Sequence, residues 1–458
     1  MASARGTAIR KMNPVSQAED IAQGPGTQVR RNRAVFGHSL GLTILSLTGM
    51  WEVFAIVGLR AVLIFYLVQT LRYSESSAIQ IYSQSTAACA LMGLVGGYAA
   101  DRYFGVRRSV IAGALLMSVG NLLLIVPSTL YAGLSILAIG NGLLRPTLLA
   151  EVGALYAPDD PRRDSAFTVY KVACNLGAFL APLICGAVGA IYGWRWAFAA
   201  SSVAMLVATG VFVGASPLLG SNEGSTAKRQ PRQGAEMPAQ NVLAIVAITW
   251  VSAVLFWTAY KQIETTVPLW TERNVERWIH IAGWSVRFPS AMLQSVNPLM
   301  IFAFAPVVTW LWSRSAKRSG VREGLRRMAF GGVLLAVTYV MLAIEAQATP
   351  TRASAVWLVL SIAPLSLGEL YLDPVGEALY SRVTGGRFAS LLMAVWFFSA
   401  FAAYQFTGFL GRVWVSVPAS TYFWGTAVVA LLSVPLMVFA SRLAGTEPGD
   451  CAASAVGG

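Results

Sequence analysis

The run from Val35 to Val68 is apolar almost throughout, yet its middle, "LTGMWEVFAIVGLR", carries Glu52 and Arg60. It is longer than the roughly 20 residues that a helix needs to cross a bilayer. A charge at the bilayer centre costs about 2.5–3.5 kcal/mol on insertion scales. The two charges therefore either lie near the segment's ends or face a polar interior that uses them. Eleven more apolar segments follow, at 77–100, 107–127, 130–156, 165–192, 196–218, 242–267, 290–313, 325–347, 354–381, 387–411 and 419–443. Only 12% of the 458 residues are charged, against about 25% in a soluble domain. The chain reads as an all-α polytopic membrane protein with twelve transmembrane helices.

Between the sixth and seventh segments lies "SNEGSTAKRQPRQGAEMPAQN", polar and basic, the composition of a linker between two six-helix halves. The expected divisions are an arm at 1–35, a first half at 36–219, a linker at 220–241, a second half at 242–443 and a disordered tail at 444–458. Basic residues collect in alternate loops: Arg30, Arg31 and Arg33 before helix 1, Arg102, Arg107 and Arg108 after helix 2, Arg162 and Arg163 after helix 4, and Arg322, Arg326 and Arg327 after helix 8. Basic loops stay cytoplasmic, so both termini are expected inside. A lysine-poor, arginine-rich chain of this kind suits a bacterial inner membrane. The same loops account for the net charge of +13 without a nucleic-acid partner. Residues 1–34 have neither the apolar core nor the cleavage site of a signal peptide.

Cys89, Cys174 and Cys185 lie in apolar segments, where cysteine behaves as a small hydrophobe, and His38 and His280 are too far apart in sequence to suggest a metal site. No paired catalytic carboxylates, metal-ligand cluster or phosphate-cradling loop is visible. The expectation is a transporter, not an enzyme, with no cofactor and no metal.

After helix 2 comes "GGYAADRYFGVRR", Gly96 to Arg108. Its glycines let helices approach closely, Asp101 can pair with an arginine and cap a neighbouring helix, and the arginines face anionic lipid. It resembles the loop 2–3 signature of the major facilitator superfamily, which implies a gating role for Asp101, Arg102, Arg107 and Arg108. Three further stretches are "GNGLLRPTLLAEVGALY" (140–156) with "RRDSAFTVYKVACNLGAFLAPLICGAVGAIYGWRWAF" (162–198), "LFWTAYKQIETTVPLW" (255–270), and "LSLGELYLDPVGEALYSRV" (365–383). Together they resemble the proton-dependent oligopeptide transporter family. The resemblance implies a major-facilitator fold that moves small peptides or peptide-like solutes with protons, by alternating access between the halves, in the lipid bilayer and as a monomer.

The family's working residues carry over in part. Its helix 1 motif, Glu-x-x-Glu-Arg with two tyrosines and an arginine beyond, becomes Gly49, Glu52, Val53, Ile56, Val57 and Arg60 here; its helix 2 tyrosine falls at Ala90. The helix 4 lysine corresponds to Arg145. Asn175, Asn297 and Glu369 match the positions that meet a peptide's backbone and amino terminus. The helix 7 acid is absent, with Tyr260 and Lys261 preceding Gln262. Across the matched charged positions the formal sum turns from net negative to net positive, and Lys171 adds a further plus if it points inward.

Two readings of Lys261 stay open. It either pairs with Glu264 or Glu52 and merely holds helices together, or joins Arg145 and Arg60 in a cationic wall for a carboxylate, with Glu369 taking an amine opposite. Few aromatic walls remain, which points away from ordinary di- and tripeptides and toward an acidic, peptide-like solute. Glu52, Glu264 and Glu369 are the candidate proton carriers, since intramembrane acids are the usual relay. Pro374, inside "GELYLDPVGE", is expected to break helix 10 and act as a gate. The alternatives are an exporter or uncoupled carrier of a non-peptide anionic metabolite, or a transport-dead ligand sensor.

Overall fold

A computed structural model describes residues 34–35, 38–156, 160, 162–215, 239–281, 284–314, 320–349, 352–382 and 389–444. Nearly all of the expected arm, the linker up to residue 238 and the tail from residue 445 lie outside the described residues. The chain runs back and forth through α1 (Leu40–Phe65), α2 (Glu75–Ala99), α3 (Val106–Leu123), α4 (Leu130–Ala154), α5 (Arg162–Tyr192) and α6 (Trp194–Ala215). A seventh, interrupted span follows, made of α7a (Ala239–Tyr260) and α7b (Thr266–Asn274). Then come α8 (Val296–Arg314), α9 (Val321–Ala348), α10 (Ala355–Arg382), α11 (Ala389–Trp414) and α12 (Ala419–Leu443). Ten of the spans are long and apolar enough to cross a membrane on their own composition. α2 and α11, of 25 and 26 residues, complete the twelve and pack against each other.

The packing repeats with an offset of six helices. In the first half α1 packs on α5 and α6, α4 on α2 and α3, and α3 on α6; in the second, span 7 packs on α11 and α12, α10 on α8 and α9, and α9 on α12. The two principal contacts between halves, α2 with α11 and α5 with the turn leading into α8, exchange under the same offset. This is the pattern of two parallel repeats about an axis along the membrane normal. Lipid tails are as apolar as leucine, so helices in a bilayer associate through close packing of small residues. A Cβ on Gly142 of α4 would lie 2.3 Å from the Met92 carbonyl oxygen of α2, and one on Gly331 of α9 would lie 2.8 Å from that of Gly368 on α10.

Span 7 stops being an α-helix at a 3-10 turn, Lys261–Glu264, before Thr265 takes φ −123° and ψ −74°. The polar run "YKQIETT" supports the break from its own side chains. Thr265 Oγ1 donates to the Lys261 carbonyl at 3.2 Å, Gln262 Nε2 to the Thr258 carbonyl at 3.0 Å, and the Tyr422 hydroxyl to Gln262 Oε1 at 2.8 Å. Irregular backbone at membrane depth is tolerated only where it is buried in protein or lines a polar cavity. The expected break at Pro374 is not found. α10 is continuous from Ala355 to Arg382 through both Pro364 and Pro374, because each proline removes a single N–H and packed neighbours hold the helix.

The halves join mainly at the end opposite the chain termini. There Arg273 of α7b forms an ion pair with Glu75 of α2, and Trp414 Nε1 of α11 donates to the same carboxylate at 2.9 Å. Ser295 Oγ, ahead of α8, donates to the Phe179 carbonyl of α5 at 2.7 Å. Replacing Gly142 by valine puts three carbons into an occupied site. It is expected to destabilise the fold by about 1–3 kcal/mol and lower the melting temperature in detergent. Gly97→Ala, whose Cβ would sit 3.5 Å from Pro146, is expected to leave it within error.

Candidate functional site

Three polar clusters lie at or beside the seam between the halves. The first is built on the 3-10 turn of span 7. Residues three apart eclipse in a 3-10 helix, so Lys261 and Glu264 face the same way, with Lys261 Nζ 2.7 Å from Glu264 Oε1. The other carboxylate oxygen accepts from the Tyr82 hydroxyl of α2 and the Tyr404 hydroxyl of α11, both at 3.0 Å. The ammonium also lies 5.4 Å from the ring centre of Trp257 and 5.1 Å from those of Tyr260 and Tyr404, within the range of cation–π attraction. Arg60 stands in the electrostatic field of Glu264, Tyr82 and Tyr404 but takes no part in their hydrogen bonds.

The second cluster lies within the second half. Glu369 Oε2 accepts from the Tyr260 hydroxyl at 2.6 Å and from Asn297 Nδ2 at 3.2 Å. Asn297 Nδ2 also reaches the Tyr260 oxygen at 2.6 Å, and Ser366 Oγ donates to Asn297 Oδ1 at 2.6 Å. α10, α7a and α8 are thereby locked around one carboxylate, whose second oxygen is left to the cavity. The third cluster belongs to the first half. Glu52 is 1% exposed, accepts from Asn141 Nδ2 at 2.9 Å through one oxygen, and buries the other without a partner. Arg145 and Arg60 are its charged neighbours.

Arg145 on α4 and Lys171 on α5 are both exposed, and their charges reach Asp373 of α10 across the seam. The seam is thus charged on both sides at this level. Basic side chains line its first-half wall, and Glu369, Asp373 and Glu377 line the other. Asn175 is half-buried on the same helix as Lys171. The loop 2–3 residues Asp101, Arg102, Arg107 and Arg108 are all exposed. The expected pairing of Asp101 is absent among the described residues. The turn itself is real: α2 ends in a π-helical turn, Ala100–Phe104, and Gly105 follows at φ 72°, a left-handed conformation that favours glycine.

Of the two readings of Lys261, the pairing with Glu264 is the one the geometry shows. The positions of the lost motif tyrosines are indeed apolar, while Tyr82, Trp257, Tyr260 and Tyr404, all buried, surround the Lys261–Glu264 pair from other positions. Their signal in the sequence was weak, because an aromatic in a transmembrane helix is more often packing than site. Asn141 sits inside the helix 4–5 block without a charge to mark it. Gly49, where the family motif has an acid, is explained by Tyr170: a Cβ on Gly49 would lie 2.6 Å from that buried ring.

Two pseudo-symmetric six-helix halves around a polar seam define a membrane transporter. The chain belongs to the Major Facilitator Superfamily, whose sequence profile matches residues 40–363. Within it, the resemblance to the proton-dependent oligopeptide transporters holds. The chain is 27% identical to the peptide transporter YePEPT of Yersinia enterocolitica, over 84% of this chain and 90% of the relative. It is 27% identical to a di-/tripeptide transporter of Lactococcus lactis, over 80% and 88%. The crystal structure of peptide transporter POT in complex with sulfate superposes with a TM-score of 0.80 at 27% identity, covering 90% of this chain and 96% of that one. The protein is an integral membrane transporter rather than an enzyme.

Removing one member of a buried ion pair strands the other. Glu264→Gln is expected to lower stability by about 3–5 kcal/mol. The double variant Lys261→Met/Glu264→Gln is expected to recover most of that loss, as measured by thermal unfolding in detergent.

Proposed function

We propose that the protein is a proton-coupled carrier of small peptides and peptide-like zwitterions, working as a monomer in a bacterial inner membrane with both termini in the cytoplasm. The observation that carries this reading is a polar seam with basic side chains on one half, where Arg145 and Lys171 act on Asp373 of the other, and on that other half Glu369, oriented by Tyr260 and Asn297. Such a seam suits a solute with a carboxylate at one end and an amine at the other. The guanidinium fork binds a carboxylate through two parallel hydrogen bonds, and Glu369 takes the ammonium through its free oxygen. Asn175 and Asn297 serve the peptide backbone between them. The two relatives named as peptide transporters support ordinary peptides as the solute.

In this reading the arginine-rich end is cytoplasmic and the conformation is open inward. The halves 36–219 and 242–443 rock about the linker 220–241. Asp101, Arg102, Arg107 and Arg108 gate the cytoplasmic end. Coupling runs through span 7. When a substrate carboxylate takes the Lys261 ammonium, Glu264 loses its counter-ion and accepts a proton, its hold on Tyr82 weakens, and α2 is released from span 7. Glu52 and Glu369 are the further proton sites.

The test uses purified protein in sealed liposomes with a trapped pH dye and an inside-negative potential. Dialanine is expected to acidify the lumen. Acidification by acidic solutes alone would move the substrate to anionic metabolites. Exchange of labelled dialanine without acidification would remove proton coupling. Glu369→Gln is expected to raise the dialanine concentration for half-maximal uptake about 30-fold or more, the loss that follows when one partner of a desolvated charge contact is truncated. Unchanged dialanine affinity in Lys261→Ala would remove Lys261 from the substrate site.

A further inference from the structure

A second concavity lies away from the seam, at the arginine-rich end, where α8 finishes and α9 begins. It is a cleft of about 300 Å³ between α8, α9 and α10, lined by Trp312, Val321, Pro374, Val375 and Leu379, with Arg327 and Glu323 as its charged members. Its walls are nearly all apolar, which does not suit a small hydrated ion. Arg327 stacks over Trp312 with its guanidinium carbon 4.9 Å from the ring centre. Its only ion pair among the described residues is at 3.5 Å, through Nε to Glu323 Oε1, so the two terminal nitrogens stay unengaged by that pair. Arg314, Arg322 and Arg326 stand nearby in the chain, and together with Arg327 they outnumber Glu323. Arg314 lies 4.0 Å over the ring of Trp310, which is 53% exposed. Exposed tryptophan and arginine at a helix end mark the level of the lipid headgroups.

We propose that this cleft binds one anionic phospholipid, with its phosphate on Arg327 and an acyl chain laid along Pro374, Val375 and Leu379. Three observations favour a lipid as the occupant. The lining is apolar, Arg327 at its mouth keeps its two terminal guanidinium nitrogens outside its ion pair, and the cleft lies at the end where the chain's basic loops gather. Basic pockets between transmembrane helices on the cytoplasmic side hold anionic headgroups in this way. α9 adds to the attraction, because it begins at the cleft after Gly320 and a helix N-terminus carries partial positive charge. The site touches transport through α10. The chain that rests on Pro374 rests on the helix carrying Glu369 and Asp373, so the bound lipid supports α10 in its present position.

The test is native mass spectrometry of the full-length protein released from nanodiscs of mixed phosphatidylglycerol and phosphatidylcholine. One phosphatidylglycerol is expected to survive detergent stripping. Arg327→Gln is expected to reduce its retention about five-fold, the effect of one basic side chain at a lipid surface, and Ala378→Phe to reduce it by filling the cleft. Equal retention of the two lipids, or an unchanged Arg327→Gln, would overturn the proposal. Displacement by millimolar inorganic phosphate would overturn it too, by showing a free-anion site. If Ala378→Phe fails to fold, Arg327→Gln decides alone. Neither position lines the seam, so failure here leaves the peptide-carrier reading standing, and failure of that reading leaves this one.

Discussion

Glu264 accepts from donors on three spans, the Lys261 ammonium of span 7, the Tyr82 hydroxyl of α2 and the Tyr404 hydroxyl of α11. At this depth there is no bulk water to replace a lost partner, so the carboxylate can leave one donor only by gaining another or by taking up a proton. The break in span 7 exists to present it. A regular α-helix would bury the backbone of residues 261–264 in its own ladder and send the two charges to different angles. The 3-10 turn aligns them and hands several carbonyls to Thr265, Thr266 and Gln262. Closure of the halves at the end opposite the termini follows from the same bond set, since Tyr82 and Tyr404 belong to the helix pair that joins the halves.

The architecture was largely legible because the bilayer imposes it. A chain with twelve apolar segments, alternating basic loops and one polar linker has few ways to fold. Most spans lie within a few residues of their expected places, with α5 beginning at Arg162 rather than residue 165, whereas span 7 runs on to Asn274, seven residues past its expected end, and α8 starts at Val296 rather than 290. The charged residues were legible for a related reason: Glu52, Arg60, Lys261 and Glu369 stand out in apolar surroundings. What stayed hidden was who touches whom. Asn141, Tyr82 and Tyr404 look like ordinary transmembrane residues until folding brings α4 to α1 and α2 and α11 to span 7. Pro374 misled for the opposite reason. A proline looks like a break in any sequence, but it becomes one only where neighbours fail to hold the helix, and α10 is held.

The six-helix offset sharpens what differs between the halves. Span 7 is the counterpart of α1, yet α1 runs unbroken through Glu52 and Arg60 while span 7 unwinds at Lys261. The first half therefore offers charges fixed on a rigid helix, whereas the second offers a pair on backbone that can rearrange. Binding a carboxylate needs the former, and exchanging one counter-ion for another needs the latter.

Tyr170 occupies the space that an acid at position 49 would need. The substitution at residue 49 is thus not an isolated loss that one codon change could repair, because Gly49→Glu with Tyr170 in place drives side chain into ring. An acid at position 49 would require residue 170 to shrink first, a step that opens a cavity and by itself gains nothing. The two positions are therefore coupled like a ratchet: with the ring in place, no single substitution at residue 49 can add an acid there.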